Sequence, residues 1–160
     1  MNEKYLYFLK NAEFLNNKFN IVPLLYGSLG LSKLLNDKLK VDDIDILIPE
    51  IYLEENWDNF RKCLENEGYK LIDLHEHTFK KNGIDYSYAS IENLKEFANI
   101  EIEEINIISD EKIKYRLLNL KQYLKVYEKS SQDGYRINKK EKQDFDKILL
   151  IKNALRNGNA

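Results

Sequence analysis

The sequence predicts one α+β domain, a mixed β-sheet covered by helices and closed by a C-terminal helical pair. Three features carry that expectation. Residues 42–49 alternate acidic and branched apolar side chains with the period of a strand, and Asn82-Gly83 separates two short runs as a hairpin turn would. Apolar positions at helical spacing fill both ends of the chain.

Composition bounds the possibilities. With 160 residues the chain can bury about two-thirds of its unfolded surface, so its core needs neither a disulfide nor a structural metal. The expectation is a single domain over 1–160, with an α/β core over 20–108 and a helical hairpin over 109–156. Cys63 is the one cysteine, which removes disulfide frameworks and zinc ribbons and points to a reducing, cytoplasmic setting. No apolar run approaches the ~20 residues of a membrane span, and Met1-Asn2-Glu3-Lys4 lacks the apolar stretch of a secretion signal. The 25 basic residues face 27 acidic ones, so no general attraction to nucleic acid or membrane is expected and any anion site must be built locally.

Taken in order, Lys4 to Phe19 places Tyr5, Phe8, Ala12, Leu15 and Phe19 on one helical face. Ile21 to Tyr26 is a short apolar strand with Pro23 near its start, ended by Gly27. Ser28 is then the expected N-cap of a helix that turns Leu31, Leu34 and Leu35 to one side. In Asp42 to Pro49, Ile44, Ile46 and Ile48 alternate against Asp43, Asp45 and Leu47, which makes a strand. Glu54 to Glu67 reads as a helix with Trp57, Phe60, Cys63 and Leu64 inward and Gly68 as its stop; Cys63 is expected to be a small buried hydrophobe. Tyr69 to Leu74 is a strand, and Thr78 to Lys81 pairs with Ile84 to Ala89 across Asn82-Gly83. Ile84, Tyr86 and Tyr88 then share one face, leaving Asp85 and Ser87 on the other. Ile91 to Phe97 is a short helix and Ile105 to Ile108 a last short strand, before helices over Asp110 to Glu128 and Lys139 to Leu155.

The feature that asks for chemistry is Asp43-Ile44-Asp45. Two carboxylates on one strand face, about 6 to 7 Å apart, bring like charges together and call for a cation. Magnesium suits that need, because it takes hard oxygen ligands and completes its shell with substrate phosphates. Alone, the pair also fits a solvated strand end. The preceding strand, however, runs through Gly27-Ser28 straight into a helix, where backbone N–H groups and the helix dipole favour a phosphate.

An anion cradle beside a cation site resembles the nucleotidyltransferase superfamily with the polymerase-beta-like core. The likeness rests on Tyr26-Gly27-Ser28-Leu29-Gly30-Leu31, then Asp43-Ile44-Asp45-Ile46-Leu47-Ile48-Pro49, with Asp85 as third acid. It covers about residues 20 to 90, and its spacing is most similar to the small antibiotic-modifying, lincosamide-type branch. Arg136 to Lys147 resembles the basic and acidic terminal helix of several members more loosely.

The resemblance implies a magnesium-dependent, nucleotide-binding (ATP-type) transferase. Asp43 and Asp45 would bind two Mg2+ ions, one arriving with the NTP, and Asp85 would support the second metal or take a proton from the acceptor hydroxyl. Gly27 and Ser28 would hold the β- and γ-phosphates. A nucleoside monophosphate would pass to a hydroxyl of a small molecule, an RNA or a protein, with release of pyrophosphate. The other reading is a non-catalytic binding or regulatory protein of the same fold, such as an antitoxin working with a toxin-type partner or as a homodimer. Leu29 and Leu31 stand where small family members often carry a basic residue, so phosphate charge must be met elsewhere: Lys33, Lys38 and Lys40 are near in sequence, Lys121 and Arg136 more remote. A one-residue slip of the hairpin would turn Asp85 away and leave Glu76 as substitute.

Other groups fit plainer roles. His75-Glu76-His77 offers two imidazoles without a third ligand and reads as a loop or strand end. Tyr26, Tyr86, Tyr88 and Tyr135 could stack on a base but read first as core, and Lys139 to Lys142 as a solvated helix face.

Overall fold

A computed structural model of the chain describes residues 3–36, 39–131 and 134–158, with side chains at all of these but 134–144. The elements run α1 (Glu3–Phe19), β1 (Leu24–Tyr26), α2 (Gly27–Leu34), β2 (Ile44–Ile48), α3 (Trp57–Asn66), β3 (Lys70–Asp73), β4 (Thr78–Lys81) and β5 (Ile84–Ser90). They continue as α4 (Asn93–Ala98), β6 (Asn106–Asp110), β7 (Ile113–Leu117), α5 (Leu120–Ser131) and α6 (Gly134–Arg156). The chain divides into two compact units, Met1–Glu92 with Ile107–Leu117, and Asn93–Asn106 with Leu118–Ala160.

The first unit is built on a seven-stranded sheet of order β3-β4-β5-β2-β1-β7-β6. The sheet is mixed: β1 runs antiparallel to β2 and parallel to β7, β2 runs parallel to β5, and β3, β4 and β5 form an antiparallel meander. Asn82 and Gly83 both have positive φ, as a type I′ turn requires, and the two-residue loop sets Lys81 opposite Ile84 and Lys80 opposite Asp85. The isoleucines of β2 are fully buried with Tyr86 and Tyr88 of β5, against Phe8, Ala12 and Leu15 of α1 and Phe60 and Leu64 of α3. Phe60 and Phe79 both meet the Tyr88 ring edge-on, at 5.4 and 5.8 Å between centroids.

A polar side chain enters this core from α1. Asn11 lies on the buried face of α1 and donates from Nδ2 to the Tyr88 hydroxyl at 2.6 Å, while its Oδ1 is buried without a hydrogen-bond partner. Burial pushes the Tyr88 phenol well above its ordinary pKa, so the group stays neutral.

In the second unit, Asn119 and Gln122 cap the start of α5 reciprocally: Gln122 N–H donates to Asn119 Oδ1 at 2.8 Å and Asn119 N–H to Gln122 Oε1 at 2.9 Å. Leu120, Tyr123, Val126 and Tyr127 of α5 are buried, as are Ile148, Ile151 and Ala154 of α6.

Several expectations from sequence are corrected. The stretch read as helix from Asp110 contains a strand, Ile113–Leu117, and α5 begins only at Leu120. Ile113, Tyr115 and Leu117 alternate with Lys114 and Arg116, and the surroundings reward that alternation. Arg116 N–H donates to Pro23 O, and the Asn16 amide bonds both the N–H and C=O of Lys114 as a strand partner would. Tyr115 is buried and shares a hydrogen bond with Tyr5, whose hydroxyl donates to Asp110. The first strand is shorter than read, Leu24–Tyr26, and the helix placed from Glu54 starts at Trp57 after a 3-10 turn at Glu50–Tyr52. Cys63 is half-buried rather than a core residue.

Asn11→Ala removes the donor to Tyr88 and leaves a buried hydroxyl without it, so urea unfolding is expected to show a loss of about 1–3 kcal/mol.

Candidate active site

Three aspartates share one face of the sheet because the opposite face belongs to the core. With Ile44, Ile46 and Ile48 buried, Asp43 and Asp45 project to the other side, Asp45 half-buried and Asp43 exposed just ahead of β2. Strand β5 runs parallel to β2 with Ile44 beside Tyr86 and Asp45 beside Ser87, so one step earlier Asp43 comes beside Asp85. Since Tyr86 and Tyr88 face the core, Asp85 and Ser87 face the aspartates. Adjacent strands lie about 5 Å apart, so Asp43 and Asp85 are close neighbours. Ser87 carries the row outward to β4, its hydroxyl 2.8 Å from that of Thr78.

On the other flank, β1 passes into α2 without a linker. Tyr26 pairs with Asp45, and Gly27 follows with φ +61°. A Cβ built on Gly27 would lie 2.3 Å from Asp45 Oδ2 and 3.1 Å from its Cβ and Cγ, so a residue without a side chain is required on both conformational and steric grounds. The helix begins at Gly27 with Tyr26 as its N-cap and no side-chain cap. Ser28, expected at the cap, is instead the second helical residue, because the positive φ falls on Gly27 and the turn is made one position earlier.

The electrostatics follow from this crowding. Although much of Asp43 is exposed, partial withdrawal from water raises its pKa above the ordinary aspartate range, and the charges of Asp85 and Asp42 raise it further. Lys4 and Lys80 act in the opposite direction. Lys4 Nζ donates to the carbonyls of Val41 (2.7 Å) and Asp42, holding the approach to β2. Lys80 Nζ lies 2.9 Å from Asp85 Oδ1. That contact is an ion pair without hydrogen-bond alignment, and the same buried oxygen accepts no hydrogen bond.

The basic residues singled out from sequence lie as follows. Lys40 is exposed shortly before β2, and Lys33 on α2 sits 3.9 Å over the Tyr5 ring. Lys121 is exposed in the first turn of α5, in the second unit. Lys38 and the Arg136 side chain fall outside what is described. Glu76 is exposed in the β3–β4 loop, its N–H bonded to Asp73. His75 is exposed, whereas His77 meets the Trp57 ring at 4.8 Å. Two cations on the acidic face escaped the sequence reading: Lys80, and Arg116, which pairs through β7 with Leu24 and so faces the same side as Tyr26 and Asp45. Lys80 had a signal, since a two-residue turn at Asn82-Gly83 dictates its pairing with Asp85. Arg116 had none, because its strand was read as helix.

Among the described residues, no group of three or more His, Cys, Asp or Glu side chains is placed to hold a metal ion, so Asp43, Asp45 and Asp85 do not form a ready three-ligand set. Magnesium does not demand one, since it commonly takes one or two carboxylates and fills the rest of its shell with water and substrate phosphate. Asp43 and Asp45 as paired oxygen donors, the Asp85 oxygen engaged by the Lys80 ion pair without a hydrogen bond, and the side-chain-free cradle at Gly27 all fit such an ion.

Two substitutions test this geometry. Gly27→Ala is expected to destabilise the fold by more than the ~1 kcal/mol of an ordinary positive-φ glycine, because the new methyl group displaces Asp45; thermal melting reads the loss. Asp43→Asn is expected to melt above wild type in metal-free buffer at neutral pH. A raised native pKa means that the ionised group opposes folding, so this margin shrinks as the pH falls through that pKa.

No family model matches the chain. Among solved structures, a nucleotidyltransferase-like protein from Paracoccidioides brasiliensis superposes with TM-score 0.62 at 15% identity, covering 89% of this chain and 72% of that one. The antibiotic-resistance factor ANT(2″)-Ia superposes with TM-score 0.55 in its solution structure at 13% identity, covering 98% of this chain and 94% of that one. Its crystal structure with adenylyl-2″-tobramycin superposes with TM-score 0.54 at 12% identity, covering 95% and 88%. The fold is therefore nucleotidyltransferase-like. In sequence, the uncharacterized protein YnaI of Bacillus subtilis (strain 168) is 44% identical over 153 residues, 96% of this chain and 98% of YnaI. The chain thus belongs to the same family as YnaI.

Proposed function

We propose that this chain is a magnesium-dependent nucleotidyltransferase that moves a nucleoside monophosphate from an NTP to an acceptor hydroxyl. The observation that carries the reading is the close approach of Asp45 to Gly27 on a sheet face that also bears Asp43 and Asp85. The nucleotidyltransferase-like fold supports it.

In this reading Asp43 and Asp45 hold the metal, which when bound neutralises phosphate charge and orients the triphosphate for in-line displacement. The Gly27-Ser28 backbone at the start of α2 takes the β- and γ-phosphates, where the positive end of the helix dipole favours them and the absence of a Cβ lets them approach. Asp85 accepts the proton of the acceptor hydroxyl as its oxygen bonds to the α-phosphorus. The bond from that phosphorus to the bridging oxygen breaks, and pyrophosphate leaves with the electron pair. Positioning and charge neutralisation supply the rate, so no covalent protein nucleophile is needed.

One observation favours a second reading, a non-catalytic partner-binding protein of the same fold: α2 has no basic residue in its first turn, and its one lysine is engaged over Tyr5. Thermal melting with Mg2+ and each of the four NTPs separates the two. A nucleotide at about 100 times its Kd adds roughly 2.7 kcal/mol to stability, so the midpoint is expected to rise by several degrees. The rise should vanish in Asp43→Asn and Asp45→Asn. No rise with any NTP would favour the partner-binding reading.

A further inference from the structure

The acidic face needs positive charge in two situations, and the same lysine is placed to supply it in both. Without ligand, Asp43, Asp45 and Asp85 share one sheet face, and Asp43 and Asp85 repel one another. Lys80 is anchored directly opposite Asp85 by the two-residue hairpin, with Nζ 2.9 Å from Oδ1. The contact lacks hydrogen-bond alignment, and the Lys80 side chain is 48% exposed, so it is held by charge and not locked by packing. With a polyphosphate at Gly27-Ser28, a cation is needed there too. Nothing in the turn provides one, Lys33 lies over Tyr5, Lys4 is tied to the carbonyls of Val41 and Asp42, and Arg116, the other cation on this face, stands beside Leu24, three residues before Gly27.

We propose that Lys80 is a two-position cation, which neutralises Asp85 in the free protein and is released by a divalent ion to bind the phosphates of the incoming nucleotide. The proposal rests on the nucleotidyl-transfer reading above. A divalent ion held by Asp43 and Asp45 would stand beside Asp85 and repel the Lys80 ammonium, so metal entry weakens the Lys80–Asp85 pair. The freed side chain has a flexible four-carbon stem and stands on the same sheet face as the three aspartates, two strands out from β2, so it would meet phosphate oxygens on the metal side of the nucleotide. Lys80 would thus oppose metal binding in the absence of nucleotide and promote it in its presence, so that metal and polyphosphate bind together.

The consequence is a crossed effect that a purely structural lysine would not produce. In Lys80→Met, which keeps the apolar stem, Mn2+ followed by the paramagnetic signal of the free ion should bind at least about tenfold more tightly than to wild type, the size of effect one charge exerts on a neighbour within ~4–6 Å. Inorganic tripolyphosphate with Mg2+, followed by calorimetry, should bind about tenfold more weakly, for want of one charged phosphate contact. Lys80→Arg should return both affinities toward wild type, and Lys80→Gln should repeat the Lys80→Met pattern if methionine perturbs the strand. Mn2+ binding no tighter in the variants, or tripolyphosphate binding unchanged, overturns the role of Lys80 while leaving nucleotidyl transfer standing. A wild-type protein that takes up neither Mn2+ nor Mg2+-tripolyphosphate overturns both.

Discussion

The approach of the Asp45 carboxylate to the α-carbon of Gly27 is the constraint on which the rest of the candidate site depends. It arises where the antiparallel ladder between β1 and β2 ends: Tyr26 pairs with Asp45, and the next residue must turn into α2 while clearing that carboxylate. Only a residue without Cβ can do both, since the turn also needs positive φ. A helix start is thereby set against an acidic strand, two elements that bind opposite charges. The register of β5 then adds Asp85 beside Asp43, so the site consists of three strands and one turn held by a common core.

That core determines which way every site residue points. Strand side chains alternate strictly, so burying Ile44, Ile46, Ile48, Tyr86 and Tyr88 leaves the aspartates no other face. Leu47 and Leu24, also on the acidic side, are themselves buried, so the acids gather at the end nearest the glycine turn. The price is electrostatic. Like charges gather where partial desolvation already disfavours them, and Lys4 and Lys80 offset part of the repulsion. Groups arranged against their own electrostatic preference are those a bound cation would relieve, which couples the stability of the fold to occupancy of the site.

Some of this was legible from sequence because it depends on short-range rules. The alternation in residues 43–48 and the Asn82-Gly83 turn each specify a strand face without knowledge of distant partners, and the turn also sets Lys80 opposite Asp85. The strand Ile113–Leu117 was not legible. Its five residues satisfy helical spacing when joined to Leu120 and Tyr123, and what makes them a strand is remote: Pro23, Asn16 and Tyr5 supply the hydrogen bonds and the pocket for Tyr115. Cys63 failed similarly, since its position on α3 is near the buried stripe but at its margin.

Local sequence is enough to put the acids at 43 and 45 on one face, to open a helix at a glycine turn, and to set Asp85 opposite the tyrosines of its strand. Periodicity and turn chemistry are local, and each residue carries enough information to decide them. That these pieces meet follows from the packing of the whole chain. Strand order, the parallel register of β2 with β5 and the insertion of β7 beside β1 are set by which apolar faces can be buried together, a property of the whole chain that no short segment contains.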